Sequence, residues 1–195
     1  SNVNVVEEIT QLIMENMDIQ RILRNSCRKF DGGYVMGGMF GHGDAFIFRD
    51  PNGIRPCFFY ADDDIIAAAS ERPALQTTLN VSARNVKELE PGHALIIKKN
   101  GHHDVVPFID QREKKSCSFE RIYFSRGTDK DIYKERKRLG KNLVEKILQA
   151  VDHNFEDTVF TYVPNTAEAA FYGLSEELHR VHNQYKADKI IAAEG

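Results

Sequence analysis

Between residues 34 and 70 the chain alternates short apolar runs with turn signals, and few folds accept that rhythm. The runs are 34–40, 45–48, 54–60 and 65–69. Between them stand Gly41-His42-Gly43-Asp44, Asp50-Pro51-Asn52-Gly53 and Asp62-Asp63-Asp64. Short strands separated by turns at close, regular spacing predict antiparallel hairpins. Several runs are apolar on both faces, so the sheet is expected to be covered on both sides, by a second sheet or by helices. In Asp50-Pro51-Asn52-Gly53, proline holds the second turn position and glycine the fourth, which suits a type I turn. Arg49 and Arg55 flank it. Arginine pairs readily with carboxylates in such settings, so Arg49, Asp50, Gly53 and Arg55 read as a structural hairpin, with Asp50 a nearby partner of the two arginines.

On the N-terminal side, Val5, Ile9, Leu12 and Ile13 recur at helical spacing until Asn16-Met17-Asp18 interrupts them. Asp18 can cap a second helix carrying Ile19, Ile22, Leu23, Cys27 and Phe30 on one side. After the hairpins, a short helix is expected over 70–79. A strand pair at 86–89 and 93–98 follows, turned by Glu90-Pro91-Gly92, and then a polar loop or linker over 98–116. The pattern then changes. Residues 132–151 predict a long amphipathic helix with Leu139, Leu143, Ile147 and Val151 on its apolar stripe. A short buried strand at 159–163 and a helix from 166 to about 186 complete a helix–strand–helix unit, the opening of an α/β domain with a parallel sheet. The class is α+β: a sheet-rich domain over 1–115, a junction over 116–127, and an α/β piece over 128–195.

Composition narrows the partners. At 42% hydrophobic and 28% charged residues, the chain resembles ordinary globular proteins. A net charge of −3 gives no electrostatic case for nucleic acid or an anionic membrane as the main partner. No apolar run suggests a signal peptide or a membrane span. Three cysteines, Cys27, Cys57 and Cys117, are odd in number and far apart, which favours a reduced, cytoplasmic setting.

The residues alone assemble no complete catalytic constellation. Glu176, His179 and His182 form Glu-x-x-His-x-x-His, and His102-His103-Asp104 sits in a polar turn; both read as solvated surface, since such short motifs arise readily by chance. No Cys-x-x-Cys pair exists, which excludes a zinc ribbon. Asp62-Asp63-Asp64 follows an apolar strand, as the acidic pair of many phosphoribosyltransferases does. The next residues, Ile65 to Ala69, cannot supply the Gly/Thr-rich phosphate loop, so the acids read as a hairpin turn. There is no Gly-x-Ser-x-Gly elbow. Ser1 is discounted as an N-terminal nucleophile, because the residues after it lead into a helix rather than a buried strand.

Five motifs, "DGGYVMGGM", "FRDPNGIRP", "AASERPAL", "LEPGHALII" and "CSFERIYFSRGTD", occur in the order found in amidophosphoribosyltransferases, the glutamine phosphoribosylpyrophosphate amidotransferases of de novo purine synthesis. The chain resembles that family from about residue 31 to 140, and more weakly through "TVFTYVPNTAEAAFYG". The resemblance implies part of an N-terminal-nucleophile (αββα) glutaminase sandwich followed by the first elements of a type I phosphoribosyltransferase domain. In the family, an N-terminal cysteine releases ammonia from glutamine. The ammonia crosses a closed passage and displaces pyrophosphate from phosphoribosyl pyrophosphate, giving phosphoribosylamine. This chain shows neither that cysteine nor the phosphoribosyl pyrophosphate loop, so it is expected to be a fragment, inactive alone, with no catalytic residue of its own.

By the same resemblance, Tyr123 matches the tyrosine lining the ammonia passage, and Cys117 a position that ligates an iron–sulfur cluster in one branch. Gly127 replaces a frequent proline, and Asn165 stands where the family often has glutamate. Mg2+ is expected with phosphoribosyl pyrophosphate in the parent enzyme, and no cofactor on this fragment. The parent is expected to be a homo-oligomer that takes glutamine and phosphoribosyl pyrophosphate. The alternative is a non-catalytic binding or scaffold protein derived from the same fold.

Overall fold

The computed structural model describes residues 2–194, and the chain divides into two compact units, one ending at Glu120 and one beginning at Arg121.

The first unit opens with α1 (Asn2–Glu15) and α2 (Ile19–Ser26). Asp18 caps α2, its carboxylate accepting the Arg21 N–H at 2.9 Å. The strands follow as β1 (Val35–Met39), β2 (Ala45–Arg49), β3 (Phe58–Ala61) and β4 (Ile66–Ala69). After them come α3 (Arg72–Leu79), β5 (Lys87–Glu88), β6 (His93–Ile97) and β7 (His103–Pro107). They make two antiparallel sheets, ordered β1-β2-β6-β7 and β4-β3-β5.

The period of two decides which side chain meets which layer. Phe46 and Phe48 of β2, with Ala94 and Ile96 of β6, face Ile19 and Leu23 of α2 and Cys27. Ile47, Leu95 and Ile97 point the other way and pack with Cys57, just before β3, and with Phe59, Ile66 and Ala68 of the second sheet. The four-stranded sheet is thus covered by a helix on one face and by a sheet on the other. The stripe of α1 is not covered: Val5, Ile9, Leu12 and Ile13 are all exposed.

Two expectations for this unit are corrected. Residues 86–89 and 93–98 do not pair with each other. Lys87 and Glu88 pair with Phe59 and Phe58, whereas β6 enters the other sheet between β2 and β7. The Glu90-Pro91-Gly92 turn carries the chain from one sheet to the other, held there by the Gly92 N–H on the Asp50 carbonyl at 3.1 Å. The supposed linker over 98–116 contains the edge strand β7. Exposed His102 and Asp104 disguise it, while Val106 and the fully buried Phe108 join the core beneath α2.

The second unit opens inside a π-helical turn, Glu120–Phe124, whose first residue is the last of the first unit. Its α4 (Lys130–Ala150) is capped by Asp129, whose carboxylate accepts the Asp131 and Ile132 N–H groups. It packs on α5 (Glu168–Glu194) through Val144, Leu148, Leu174 and Leu178. Glycine sets the contact. A Cβ on Gly140 would lie 1.7 Å from the Ala170 carbonyl oxygen, and one on Gly173 would lie 1.9 Å from that of Lys137. The buried face of α4 is therefore Ile132, Arg136, Gly140, Val144 and Leu148, one residue off the expected stripe; Leu139 and Leu143 are exposed. Residues 159–163 are extended but join no ladder among the described residues. Val159 is 89% exposed, so the expected buried strand is not formed. The unit is a helix pair rather than a helix–strand–helix layer.

Candidate functional site

The best-built polar cluster surrounds the turn at 50–53. Arg49 ends β2 with its side chain 2% exposed. Its Nε donates to the Arg55 carbonyl at 2.7 Å, and Nη2 to the Gly53 carbonyl at 3.0 Å. Its Nη1 donates to the Leu89 carbonyl at 2.5 Å and to Glu88 Oε1 at 2.9 Å. Tight turns leave carbonyls without ladder partners, and a rigid five-donor fork can satisfy several at once. Glu88 also accepts Lys114 Nζ at 2.8 Å. Burial pushes the Glu88 carboxyl up, but Lys114 and Arg49 overcome this and hold it below its ordinary value.

Asp50, fully buried, is the complement of Arg49. Its carboxylate accepts the N–H groups of Asn52 (3.1 Å), Ile54 (2.9 Å) and Arg55 (3.2 Å). Its own N–H donates to the Tyr34 carbonyl at 2.9 Å, and its carbonyl accepts from Gly53 and Gly92, each at 3.1 Å. Asp50 therefore serves backbone amides and hydrogen-bonds to neither arginine side chain, unlike the pairing expected from sequence. Gly53 has φ +59°, and a Cβ there would stand 2.8 Å from the Pro91 ring, so the position requires glycine. Residues 112–115 lie over the turn. The Arg112 and Lys115 N–H groups donate to the carbonyls of Pro51 and Asn52, and the Asn52 amide donates to the Glu113 carbonyl.

Arg55 faces outward. Its guanidinium pairs with the nearly buried carboxylate of Glu120, 65 residues further on. Sequence reasoning missed Glu88 and Glu120, because no local pattern marks a partner at that separation. The nearby Cys57 thiol is pushed up to about 11 by burial, against the lowering effect of Arg49, which leaves it a poor nucleophile at neutral pH. The cluster thus holds a loop and the segments around it in place, with its donors taken up by backbone acceptors.

Tyr123 lies in the π-helical turn, 63% exposed, edge-on to Phe124 with ring centroids 5.2 Å apart. Cys117 is a free, partly exposed thiol. Among the described residues no group of three or more His, Cys, Asp or Glu could hold a metal ion. Glu176 pairs with Lys137 and Lys141, and His179 Nδ1 meets the Ser175 carbonyl at 2.8 Å. His182 lies tilted against Phe155, ring centroids 4.7 Å apart, at the edge of a cavity of about 580 Å³ lined by Phe160, Phe171 and Leu178. His102 and Asp104 form a surface pair at 2.9 Å. Asp62 accepts the Tyr60 hydroxyl and the Asp64 and Ile65 N–H groups, which makes it the anchor of a hairpin turn. Ser1 lies outside the described residues.

No family model matches the chain. The amidophosphoribosyltransferase of Bacillus subtilis is 31% identical over 179 residues, 87% of this chain and 35% of its own length. That of Lachancea kluyveri is 28% identical over 88% of this chain and 35% of its own length. The solved glutamine phosphoribosylpyrophosphate amidotransferase from B. subtilis, complexed with ADP and GMP, has a TM-score of 0.65 at 27% identity, covering 84% of this chain and 34% of that one. A second structure, described as the allosteric regulatory enzyme of purine biosynthesis, has a TM-score of 0.64 at 26% identity, covering 83% of this chain and 33% of that one. The chain thus spans roughly a third of the length of the relatives it matches. Over most of its own length, in sequence and in fold, the chain is a relative of the amidophosphoribosyltransferases.

Proposed function

We propose that the chain is part of a glutamine-dependent amidotransferase that transfers the glutamine amide nitrogen to phosphoribosyl pyrophosphate, giving phosphoribosylamine at the start of purine synthesis. The first unit would supply the second half of an N-terminal-nucleophile glutaminase sandwich, and the second unit the first elements of a type I phosphoribosyltransferase domain. The observation that carries this reading is the likeness to the B. subtilis amidotransferase, which covers 84% of the chain, more than either unit holds. The turn at 50–53 adds a physical reason for the order of the motifs. Tyr34, Leu89, Gly92 and Glu120 belong to three motifs far apart in sequence, and all contact this turn or the residues flanking it.

In this reading Tyr123 borders the ammonia passage, and none of these residues attacks glutamine or carries the phosphoribosyl group. The chain by itself is then expected to turn over neither substrate. Mg2+ would accompany phosphoribosyl pyrophosphate in the parent enzyme, with no residue here assigned to hold it. The parent is expected to be a cytoplasmic homo-oligomer. No described helix is long and apolar enough to cross a membrane.

The test is an assay of the protein translated in frame with the coding sequence that flanks this chain. Pyrophosphate release should require phosphoribosyl pyrophosphate together with either glutamine or ammonia. A protein that releases none under either condition would instead be a non-catalytic relative of the same fold.

A further inference from the structure

The backbone of Arg55 is fixed from both sides. Its N–H donates to Asp50 and its carbonyl accepts from Arg49, the two buried residues of the turn. Its guanidinium then reaches Glu120, the one buried residue of the π-helical turn. After Glu120 the turn exposes Ile122, Tyr123 and Phe124, and Phe119 before it is exposed as well. Single π-helical turns are rare and are found disproportionately at functional positions. Burial of apolar side chains cannot hold this one. Polar contacts hold the rest of it: Arg121, next to Glu120, pairs with Glu135 at 2.5 Å, and just past the turn the Ser125 carbonyl accepts Arg136 Nη2 at 2.6 Å.

We infer that the Arg55–Glu120 ion pair is a latch that positions Tyr123 by fixing the first residue of its turn. Arg55 and Glu120 act through the turn and are positioning residues. Charge-assisted bonds between a guanidinium and a carboxylate are among the stronger side-chain contacts, and a shielded carboxylate that loses its cation is left uncompensated. The latch stands on contacts within this chain. What Tyr123 lines once it is positioned rests on the proposed function.

Amide hydrogen exchange on the 195-residue chain reads the latch. Arg55→Met and Glu120→Gln should each speed exchange at residues 122–126 about tenfold, the effect of losing one charge-assisted bond in a locally opening segment. The β2 and β6 amides at Phe48 and Leu95 should keep their rates. Combining Arg55→Glu with Glu120→Arg should restore slow exchange. If Arg55→Met fails to fold, Arg55→Lys, which keeps the charge but not the fork, should give a smaller rise at the same amides. Unchanged exchange at 122–126, or equal acceleration in the sheet, overturns the latch. In the in-frame enzyme the same variants should raise the ratio of glutamine hydrolysed to phosphoribosylamine formed. Faster exchange with an unchanged ratio keeps the latch and overturns the passage role of Tyr123.

Discussion

Arg49 and Arg55 lie six positions apart and look alike in the sequence, yet one is buried among carbonyls and the other reaches across the surface to Glu120. Burying a guanidinium costs several kcal/mol unless its donors are met, and Arg49 meets three carbonyls and one carboxylate. Arg49→Met keeps much of the side-chain volume and removes every donor. It should lower the unfolding free energy by about 3–5 kcal/mol, because the buried carbonyls stay in place without partners and Glu88 keeps only Lys114. Urea titration with an unchanged m-value checks this. The turn itself was legible, since Pro51 and Gly53 at their positions dictate local geometry. The division of labour between the two arginines was not, because it depends on Leu89 and Glu120, which come together with the turn only when the sheets are assembled.

Elements are joined by a few residues at their ends. Asp44, in the β1–β2 turn, accepts Lys98 Nζ at 2.7 Å and the Lys99 N–H at 2.9 Å, with His42 at 3.2 Å. It thereby ties that turn to the β6–β7 turn. Burial pushes its carboxyl up, but Lys98, Lys99 and His42 outweigh this and bring it down to about 2. A carboxyl lowered on folding contributes stability that is complete above its ordinary value of about 4 and is lost as pH falls through the lowered value. Thermal unfolding should therefore show a falling midpoint between about pH 4 and pH 2, and Asp44→Asn should flatten that slope. The α4–α5 contact behaves differently, because backbone meets backbone there. Gly140→Ala should cost about 1–3 kcal/mol or more, since a methyl group cannot fit 1.7 Å from the Ala170 oxygen without parting the helices. Calorimetry of the chain should show the loss. Helical periodicity gave the existence of α4, while its buried face was misread by one residue because a glycine, invisible to a hydrophobicity pattern, sets the closest approach.

At the scale of the whole molecule, the two units differ in how far sequence could describe them. The first carries the hairpins β1–β2 and β3–β4, whose partners are close in the chain, and the runs and turns of those hairpins were readable one by one. The exchange of β5 and β6 between sheets was not, since a strand's pairing depends on what else competes for its edge. In the second unit, residues 159–163 have the composition of a strand. A parallel ladder needs a partner across a crossover, and none lies among the described residues, so Val159 and Val163 face solvent. The α1 stripe was read correctly as helical, but periodicity alone says nothing about whether a face will find a cover.

The turn at 50–53 also works as a gauge. Arg49 reaches the carbonyls of residues 53, 55 and 89, while Asp50 engages the amides of 52, 54 and 55. Each contact is to backbone, so most of them take no account of which side chains stand there. One residue inserted or deleted between 50 and 55 would shift these partners together. The loop can therefore exchange its outward side chains but is held to its length.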